Sequence, residues 1–208
     1  QKMYALNAEQ LGYETAFRAA AQQAVAKGCT VIHALDDLQA VEALLAVVDE
    51  LPVRVLPYTQ TFDLDRVQVL QLPRIGGCHG CALDGDFDMY TAALFEPYEN
   101  RPHDFGVLYQ EDDQLLAFVT EAHRRGLQCA FHAVGDRAVE QALSAFEYAQ
   151  QRYPRAAARH RIEHAQLVHE SHFQRAKQAG VALGLQPAFN HRWDHLDYIQ
   201  WVGARHRQ

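Results

Sequence analysis

The chain has 208 residues, of which 49% are hydrophobic and 22% charged, and its formal net charge at pH 7 is -7. This length can bury one substantial core, yet it is shorter than the roughly 250 residues typical of a complete eight-stranded barrel. No apolar run approaches the ~20 residues that span a bilayer, and an acidic balance gives no basic surface for a nucleic-acid backbone. We therefore expect one globular domain over residues 1–208, with neither membrane nor nucleic acid as a partner.

The four cysteines, Cys29, Cys78, Cys81 and Cys129, are too few for a disulfide scaffold in a chain of this length. They favour a reducing compartment, and we expect a cytoplasmic protein. Cys78 and Cys81 are separated by two residues, which is a spacing found in zinc sites, but a single pair is weak evidence for a metal. The pair is better interpreted as small apolar residues in a buried strand or loop.

The first half of the chain shows alternating helix and strand patterns. Helices are predicted over 12–27, ending at Gly28, and over 38–50. Strands are predicted over 29–34 and 53–58, with a weakly patterned linker through Leu72. The segment 74–85 is interpreted as a strand that runs into a glycine-rich loop, followed by a long loop up to Gly106. Loops of that length are commonly functional, and in barrels they lie at the C-terminal face.

The second half repeats the same alternation more clearly. Helices are predicted over 112–125, 137–152 and 170–179, and strands over 127–134, 160–165 and 181–186. Short β-branched runs alternating with helical periodicity are typical of βα units and a parallel sheet. The spacings favour a (β/α) TIM-type barrel over a doubly wound sheet, so the predicted fold class is α/β.

Polar side chains recur where the predicted strands end. They are His33, Asp84, His132, His164 and Gln186. The C-terminal ends of parallel barrel strands converge on one mouth, so these residues are expected to lie near each other. One histidine at a strand end is usually a packing residue, whereas two on consecutive strands leave packing and metal ligation equally open. A catalytic zinc needs roughly three protein ligands, most often imidazoles, and an open position.

Several of these segments together resemble the YtcJ-like branch of the metal-dependent amidohydrolases. The segments are HAVGDRAV at 132–139, RHRIEHAQ at 159–166, QP at 186–187, LDG at 83–85, TAAL at 91–94 and GCTVIH at 28–33. The first two resemble the paired motifs of that family's fifth and sixth barrel strands. The others resemble its seventh, fourth and second strands, so the resemblance covers nearly the whole chain.

The resemblance implies a hydrolase that acts on amide, formamide or related C–N bonds of a small-molecule substrate. A divalent metal, expected to be zinc, would polarise the substrate carbonyl group and activate water. By the same resemblance His132 would be a metal ligand. His164 would bind a second metal or contact the water and substrate, so it is both a metal-site and a catalytic candidate.

Departures from the family pattern are equally informative. The family's first strand carries a His-x-His pair and its last strand an aspartate, and neither is found here. The position of a lysine that many relatives carry on strand four is Gly80. The resemblance thus implies an incomplete barrel with strands two to seven, and low or no activity for this chain alone. Open barrel edges could pair two copies into a homo-oligomer; a non-catalytic barrel remnant that binds a ligand or partner is the alternative.

Three further features have structural interpretations. Asp136 is expected to cap the helix that follows it, because a short carboxylate accepts unpaired N–H groups there. Glu163 is expected to point away from the mouth by strand alternation and to pair with Arg137 or Arg161. The aromatic and polar cluster over 189–198 could shape a substrate pocket, although a loop leading into a helix explains it as well.

Overall fold

The computed structural model describes residues 12–78, 80–189 and 195–207. Its helices and strands follow in chain order: α1 Tyr13–Ala26, β1 Val31–Asp36, α2 Leu38–Val47, β2 Arg54–Thr59, α3 Leu64–Val69, β3 Arg74–Gly77, α4 Asp112–Arg124, β4 Gln128–Ala133, α5 Asp136–Arg152, β5 Arg161–His164, α6 Glu170–Ala179, β6 Ala182–Gly184 and α7 His195–Val202. Short 3-10 helices follow α2 at Val48–Glu50 and α7 at Gly203–Arg207. Within the described residues, no helix has the length and apolar character needed to cross a membrane.

The six strands form one sheet in the order β1-β2-β3-β4-β5-β6, and every neighbouring pair is parallel. The sheet curls into a half-barrel, which confirms the predicted α/β fold of an incomplete TIM-type barrel. β1 to β6 are the predicted second to seventh barrel strands. In the described part of the chain β1 and β6 are the edges of this sheet, and the predicted pairing of copies through such edges stays a prediction.

Strand alternation separates an apolar layer from a polar one. Phe131 on β4 stacks on Phe146 of α5, with ring centroids 5.9 Å apart, and Ile162 of β5 joins the same buried cluster. Their strand neighbours face the concave side, where His132 is in register with Glu163. Parallel strands keep register partners on the same face of the sheet. The hydrophobic core between sheet and helices therefore directs the polar side chains of β4 and β5 into the interior of the half-barrel.

The clearest departure from the sequence prediction is α3, a helix in the segment interpreted as a linker. Its start is set by Asp63, whose side chain accepts hydrogen bonds from the N–H groups of Asp65 and Arg66 at 3.1 and 3.0 Å. Such an N-cap is a recognisable signal. The helix has only six residues, which is too short for the hydrophobic periodicity that predicts longer helices.

Two buried histidines connect β4, α4 and the end of α5 through a directional chain of hydrogen bonds. The N–H of Cys129 donates to Nδ1 of His160 at 3.0 Å, so the proton of that ring is on Nε2. This Nε2 lies 2.8 Å from Nδ1 of His123, whose own Nε2 donates to the carbonyl oxygen of Tyr153 at 2.6 Å. Both rings must be neutral for all three bonds to form, and burial lowers the pKa of both, that of His160 to about 3.

This histidine pair predicts a specific loss of stability in acid. A histidine whose folded pKa is lowered stabilises the fold above its unfolded pKa of 6.5 and loses that contribution as the pH falls towards the folded value. Between pH 7 and 5 we expect the free energy of unfolding to fall by about 2 kcal/mol from this source, at about 1.4 kcal/mol per pH unit below 6.5. Urea denaturation across this range measures the slope.

The matched variants for this test are His160→Leu and His103→Asn. The first removes the titrating ring and is expected to flatten the slope, whatever stability it loses at pH 7. The second changes an exposed histidine and is expected to keep the native slope. An unchanged slope in His160→Leu would show that other groups cause the acid sensitivity.

Candidate metal centre

Three potential ligands from three successive strand ends meet at the C-terminal mouth of the half-barrel. The ligand atoms of Cys78, His132 and His164 all lie within 4.8 Å of one another. Sγ of Cys78 is 3.7 Å from Nε2 of His164, and the two imidazole rings are edge to face with centroids 4.5 Å apart. His132 is buried, and the other two are partly buried. The structure thus brings together both sequence-predicted metal-site histidines and adds a thiol.

His132 reaches the mouth by ordinary strand alternation, and a backbone carbonyl orients its ring. Its Nε2 donates to the carbonyl oxygen of Gly85 at 3.2 Å. Because a carbonyl group only accepts, this bond puts the proton on Nε2 and the lone pair on Nδ1. Fixing the tautomer through the distal nitrogen is the common way in which proteins prepare a histidine ligand.

His164 reaches the mouth by a break in the strand alternation. Its φ of 76° is left-handed, and the N–H of Ala165 bonds back to the carbonyl of Glu163 at 3.1 Å. A hydrogen bond between the N–H of one residue and the carbonyl oxygen two residues earlier, with a positive φ at the residue between them, defines the γ-turn of this hand. This turn is rare and strained. A second bond from the same N–H to Ala133 of β4, at 3.0 Å, holds the turn against the sheet.

Cys78 follows β3 directly, and the packing of that strand brings it close to β4. A side chain at Gly76 would place its Cβ only 2.0 Å from the carbonyl oxygen of Ala130, and its φ of 103° also favours glycine.

Burial raises the pKa of the Cys78 thiol to about 12, with the nearby carboxylates of Glu163 and Asp86 acting in the same direction. The thiolate is the form of cysteine that binds a metal, so metal binding here would displace the thiol proton.

This donor set fits a divalent metal such as zinc. Thiolate and imidazole are the preferred zinc ligands, and three protein ligands leave the open position that a catalytic site requires. Cys81 lies outside the cluster, because its Sγ donates to the carbonyl oxygen of Thr61 at 3.4 Å. The two cysteines of the Cys-x-x-Cys pair therefore contact different groups, and Cys78 alone faces the histidines.

Asp84 lies behind the site and connects the long loop after β3 to the turn between β4 and α5. Its buried carboxylate accepts the N–H groups of Ala93, Val134 and Gly135 at 2.8, 2.9 and 2.8 Å, and Oδ1 is 3.6 Å from Nε2 of His132. Burial raises the pKa of Asp84 to about 7, and the three N–H groups oppose that shift. Asp84 does not lie at a strand end as predicted, because β3 ends at Gly77 and Asp84 belongs to the long loop beyond it, where it holds backbone in place.

Other predicted residues have structural roles. His33 lies within β1, accepts a hydrogen bond from Arg161 at 3.1 Å and stacks on Tyr58, so its ring contacts these two residues and is not part of the metal-ligand cluster. Gly80, the expected lysine position, lies against Gln60. After β3, which corresponds to the fourth barrel strand, the side chain that reaches the histidines is that of Cys78 instead.

Glu163 forms the predicted ion pair with Arg161, at 2.6 Å between Oε1 and Nε and 3.0 Å between Oε2 and Nη2. Its predicted orientation is wrong. Alternation places Glu163 and His164 on opposite faces, whereas Glu163 shares the concave face with His132. The γ-turn at His164 cancels the alternation that the prediction assumed.

Asp136 is not the N-cap of α5, which is Gly135 without a side-chain cap, and of the predicted role only a bond to an N–H in the first turn is observed. Its Oδ1 accepts the N–H of Arg137 in the first turn of α5 at 3.0 Å, but it also accepts that of Phe95 in the long loop at 3.1 Å. Its Oδ2 pairs with Nε2 of His169 at 3.0 Å. Asp136 is therefore a junction between loops as well as a helix-start residue.

The cluster after the last strand is described only in part. His79, which lies between the two cysteines, and residues 190–194 of the cluster lie outside the described residues. Phe189 stacks on His164 with ring centroids 6.0 Å apart and planes 9° apart. Tyr198 of α7 accepts a hydrogen bond from Gln166 at 3.0 Å and packs edge to face on Phe87. Through Phe189 this segment thus contacts one of the candidate metal ligands.

A model of the amidohydrolase family matches residues 3–208. The chain belongs to the amidohydrolase family. It is 37% identical over 107 residues to YtcJ of Bacillus subtilis (strain 168), a match that covers 51% of this chain and 20% of YtcJ. This membership confirms the resemblance inferred from the sequence motifs.

Two solved structures are similar over nearly the whole chain. An uncharacterized metal-dependent hydrolase from Pyrococcus furiosus superposes with a TM-score of 0.77 at 28% identity, over 94% of this chain and 42% of that protein. One from Pyrococcus horikoshii OT3 gives 0.75 at 29%, over 92% and 40%. This amidohydrolase chain therefore shares the fold of metal-dependent hydrolases and spans less than half the length of each relative named here.

The Asp84 contacts predict a large, local effect on stability. Asp84→Ala leaves three buried N–H groups without their acceptor, and we expect a loss of about 3 to 5 kcal/mol in the free energy of unfolding. Asp88→Ala, which changes an exposed carboxylate in the same loop, is expected to change it by less than about 0.5 kcal/mol. Urea denaturation compares the two, and equal effects would contradict a special role for Asp84.

Proposed function

We propose that this chain holds the metal site of a hydrolase, with Cys78, His132 and His164 as metal ligands. The observation that carries the proposal is the convergence of these three donor atoms within 4.8 Å at the mouth. Family membership and the similarity to metal-dependent hydrolases support the same class of chemistry. A divalent metal, for which we propose zinc, would act there as a Lewis acid towards a carbonyl group and would lower the pKa of water.

The proposed substrates are small molecules with an amide, formamide or related C–N bond. The support is the family to which the chain belongs and the character of the mouth. Its described wall combines the aromatic ring of Phe189 with the imidazole of His164. We propose that His164, besides binding metal, faces the substrate, because its ring lies between the cysteine and this aromatic residue.

Metal stoichiometry is the first test of the proposed site. Elemental analysis of the chain, purified without tag or chelator, is expected to give about one zinc or similar ion per chain, as a single three-ligand site requires. His132→Ala and Cys78→Ser are each expected to lose it, because two remaining ligands make a weak site. A metal-free native chain that also takes up no added zinc would contradict the proposal.

Matched cysteine variants separate Cys78 from the rest of its motif. Cys81→Ala and Cys29→Ser are expected to keep the metal, since Cys81 faces Thr61 and Cys29 is exposed. Added Co²⁺ should give a thiolate-to-metal absorption band in the native chain and in both of these controls. The absence of that band from Cys78→Ser alone identifies the ligand, and its persistence there would exclude Cys78.

Turnover is tested separately, on the metal-loaded chain and on a version extended to restore both ends of the barrel. N-formyl and N-acyl compounds are the substrates to screen, with His132→Ala as the inactive control. Hydrolysis that depends on His132 supports the proposal. Metal binding without hydrolysis in either form would favour the alternative, a barrel that binds a ligand or partner without catalysis.

We also propose a cytoplasmic location, supported by the four free cysteines, one exposed, one partly buried and two buried. A reducing compartment keeps such thiols free. Fractionation of cells that express the protein, with detection in the soluble cytosolic fraction, is the corresponding measurement.

A further inference from the structure

We propose that Gln186 is a positioning residue that selects the tautomer of His164 and so aims its Nε2 lone pair at the metal site. The turn at 186–189, which follows β6, carries this residue. The tautomer is a property of the metal-free chain. The effect of this tautomer on metal affinity rests on the proposed function.

The orientation of the Gln186 side chain is set by the backbone. Its amide nitrogen Nε2 donates to the carbonyl oxygen of Gly184 at 3.0 Å. That bond fixes which end of the amide is oxygen, and Oε1 then lies 2.7 Å from Nδ1 of His164. A carbonyl oxygen accepts only, so Nδ1 of His164 must carry the proton.

The consequence of this bond appears at the opposite side of the ring. With the proton on Nδ1, the lone pair of His164 is on Nε2, which is the nitrogen 3.7 Å from Sγ of Cys78. A carboxamide is an uncommon choice among the carbonyl and carboxylate groups that orient metal-binding histidines, but it supplies the same acceptor without adding a charge. The bond therefore prepares a neutral ligand.

The same turn also supports the face of the ring. The N–H of Phe189 bonds to the carbonyl oxygen of Gln186 at 3.0 Å, which closes the turn. The ring of Phe189 then lies parallel to that of His164, at 6.0 Å between centroids. This one turn thus contacts the edge of the His164 ring through Gln186 and the face of that ring through Phe189.

Side-chain support of this kind compensates for the strained backbone that carries His164. Its φ of 76° and that of Ala165, 45°, are both left-handed. Non-glycine residues keep such conformations only where the surroundings fix them. In the adjacent strand His132 has an extended backbone and a ring oriented by the carbonyl oxygen of Gly85, whereas the ring of His164 is held by the turn that follows β6.

The direct test is the histidine tautomer in the metal-free protein. Two-bond ¹H–¹⁵N correlation spectra, recorded where His164 is neutral, are expected to show the Nδ1–H form for His164 in the native chain. Gln186→Leu, which removes the acceptor, is expected to shift it towards the Nε2–H form that dominates in free imidazole side chains. Gln186→Ile serves as a second non-accepting variant should the leucine variant fold poorly.

Two further variants distinguish tautomer control from a general structural effect. Gln186→Glu keeps an acceptor and is expected to restore the Nδ1–H form. Gln166→Leu removes a nearby glutamine whose amide donates to the Tyr198 hydroxyl, and it is expected to leave the His164 tautomer native. A native tautomer in both folded non-accepting variants would overturn the proposal, as would an equal shift in Gln166→Leu.

Metal affinity then tests the consequence. Zinc competition against a chromophoric chelator is expected to show affinity weakened by about 10- to 100-fold in Gln186→Leu and largely recovered in Gln186→Glu, the range known for outer-shell partners of ligating histidines. A shifted tautomer with native zinc affinity would overturn the role of Gln186 at the metal site. If the native chain binds no zinc at all, the proposed function fails, while the tautomer measurement still decides the role of Gln186.

Discussion

The buried carboxylate of Asp84 is the contact on which the architecture of the mouth depends. It accepts N–H groups from the long loop after β3, at Ala93, and from the turn between β4 and α5, at Val134 and Gly135. Irregular backbone that is buried must find hydrogen-bond partners, and a single carboxylate supplies three of them here. Because the loop is held in this way, Gly85 is in place to orient His132.

The site also depends on a departure from regular strand geometry. A regular β5 would direct either Glu163 or His164 to the concave face, because successive strand side chains alternate. The γ-turn at His164 lets both residues face inwards, one in the ion pair with Arg161 and the other at the mouth. The strained backbone lies at the proposed metal site. The sheet holds this backbone on one side, and the turn at Gln186 holds it on the other.

The sequence predicts the parallel α/β fold and the convergence of His132 with His164, because both depend on periodicity and on the known geometry of strand ends. It does not predict the inward Glu163, since a single left-handed residue leaves no periodic signal. The contribution of Cys78 is equally hidden. A Cys-x-x-Cys pair implies two cysteines acting together, whereas here the glycines before Cys78 bring it to the histidines and Cys81 faces Thr61.

Polar side chains inside the half-barrel form two sets with different properties. In the first set, Arg161 is paired with Glu163, donates to His33 and lies over the ring of Tyr58, so its charge is balanced among its neighbours. In the second set, at the mouth, hydrogen bonds to Gly85 and Gln186 place the proton on one nitrogen of His132 and of His164. The first arrangement satisfies its own polar groups, whereas the second keeps both imidazoles neutral, which is the form that binds a metal ion.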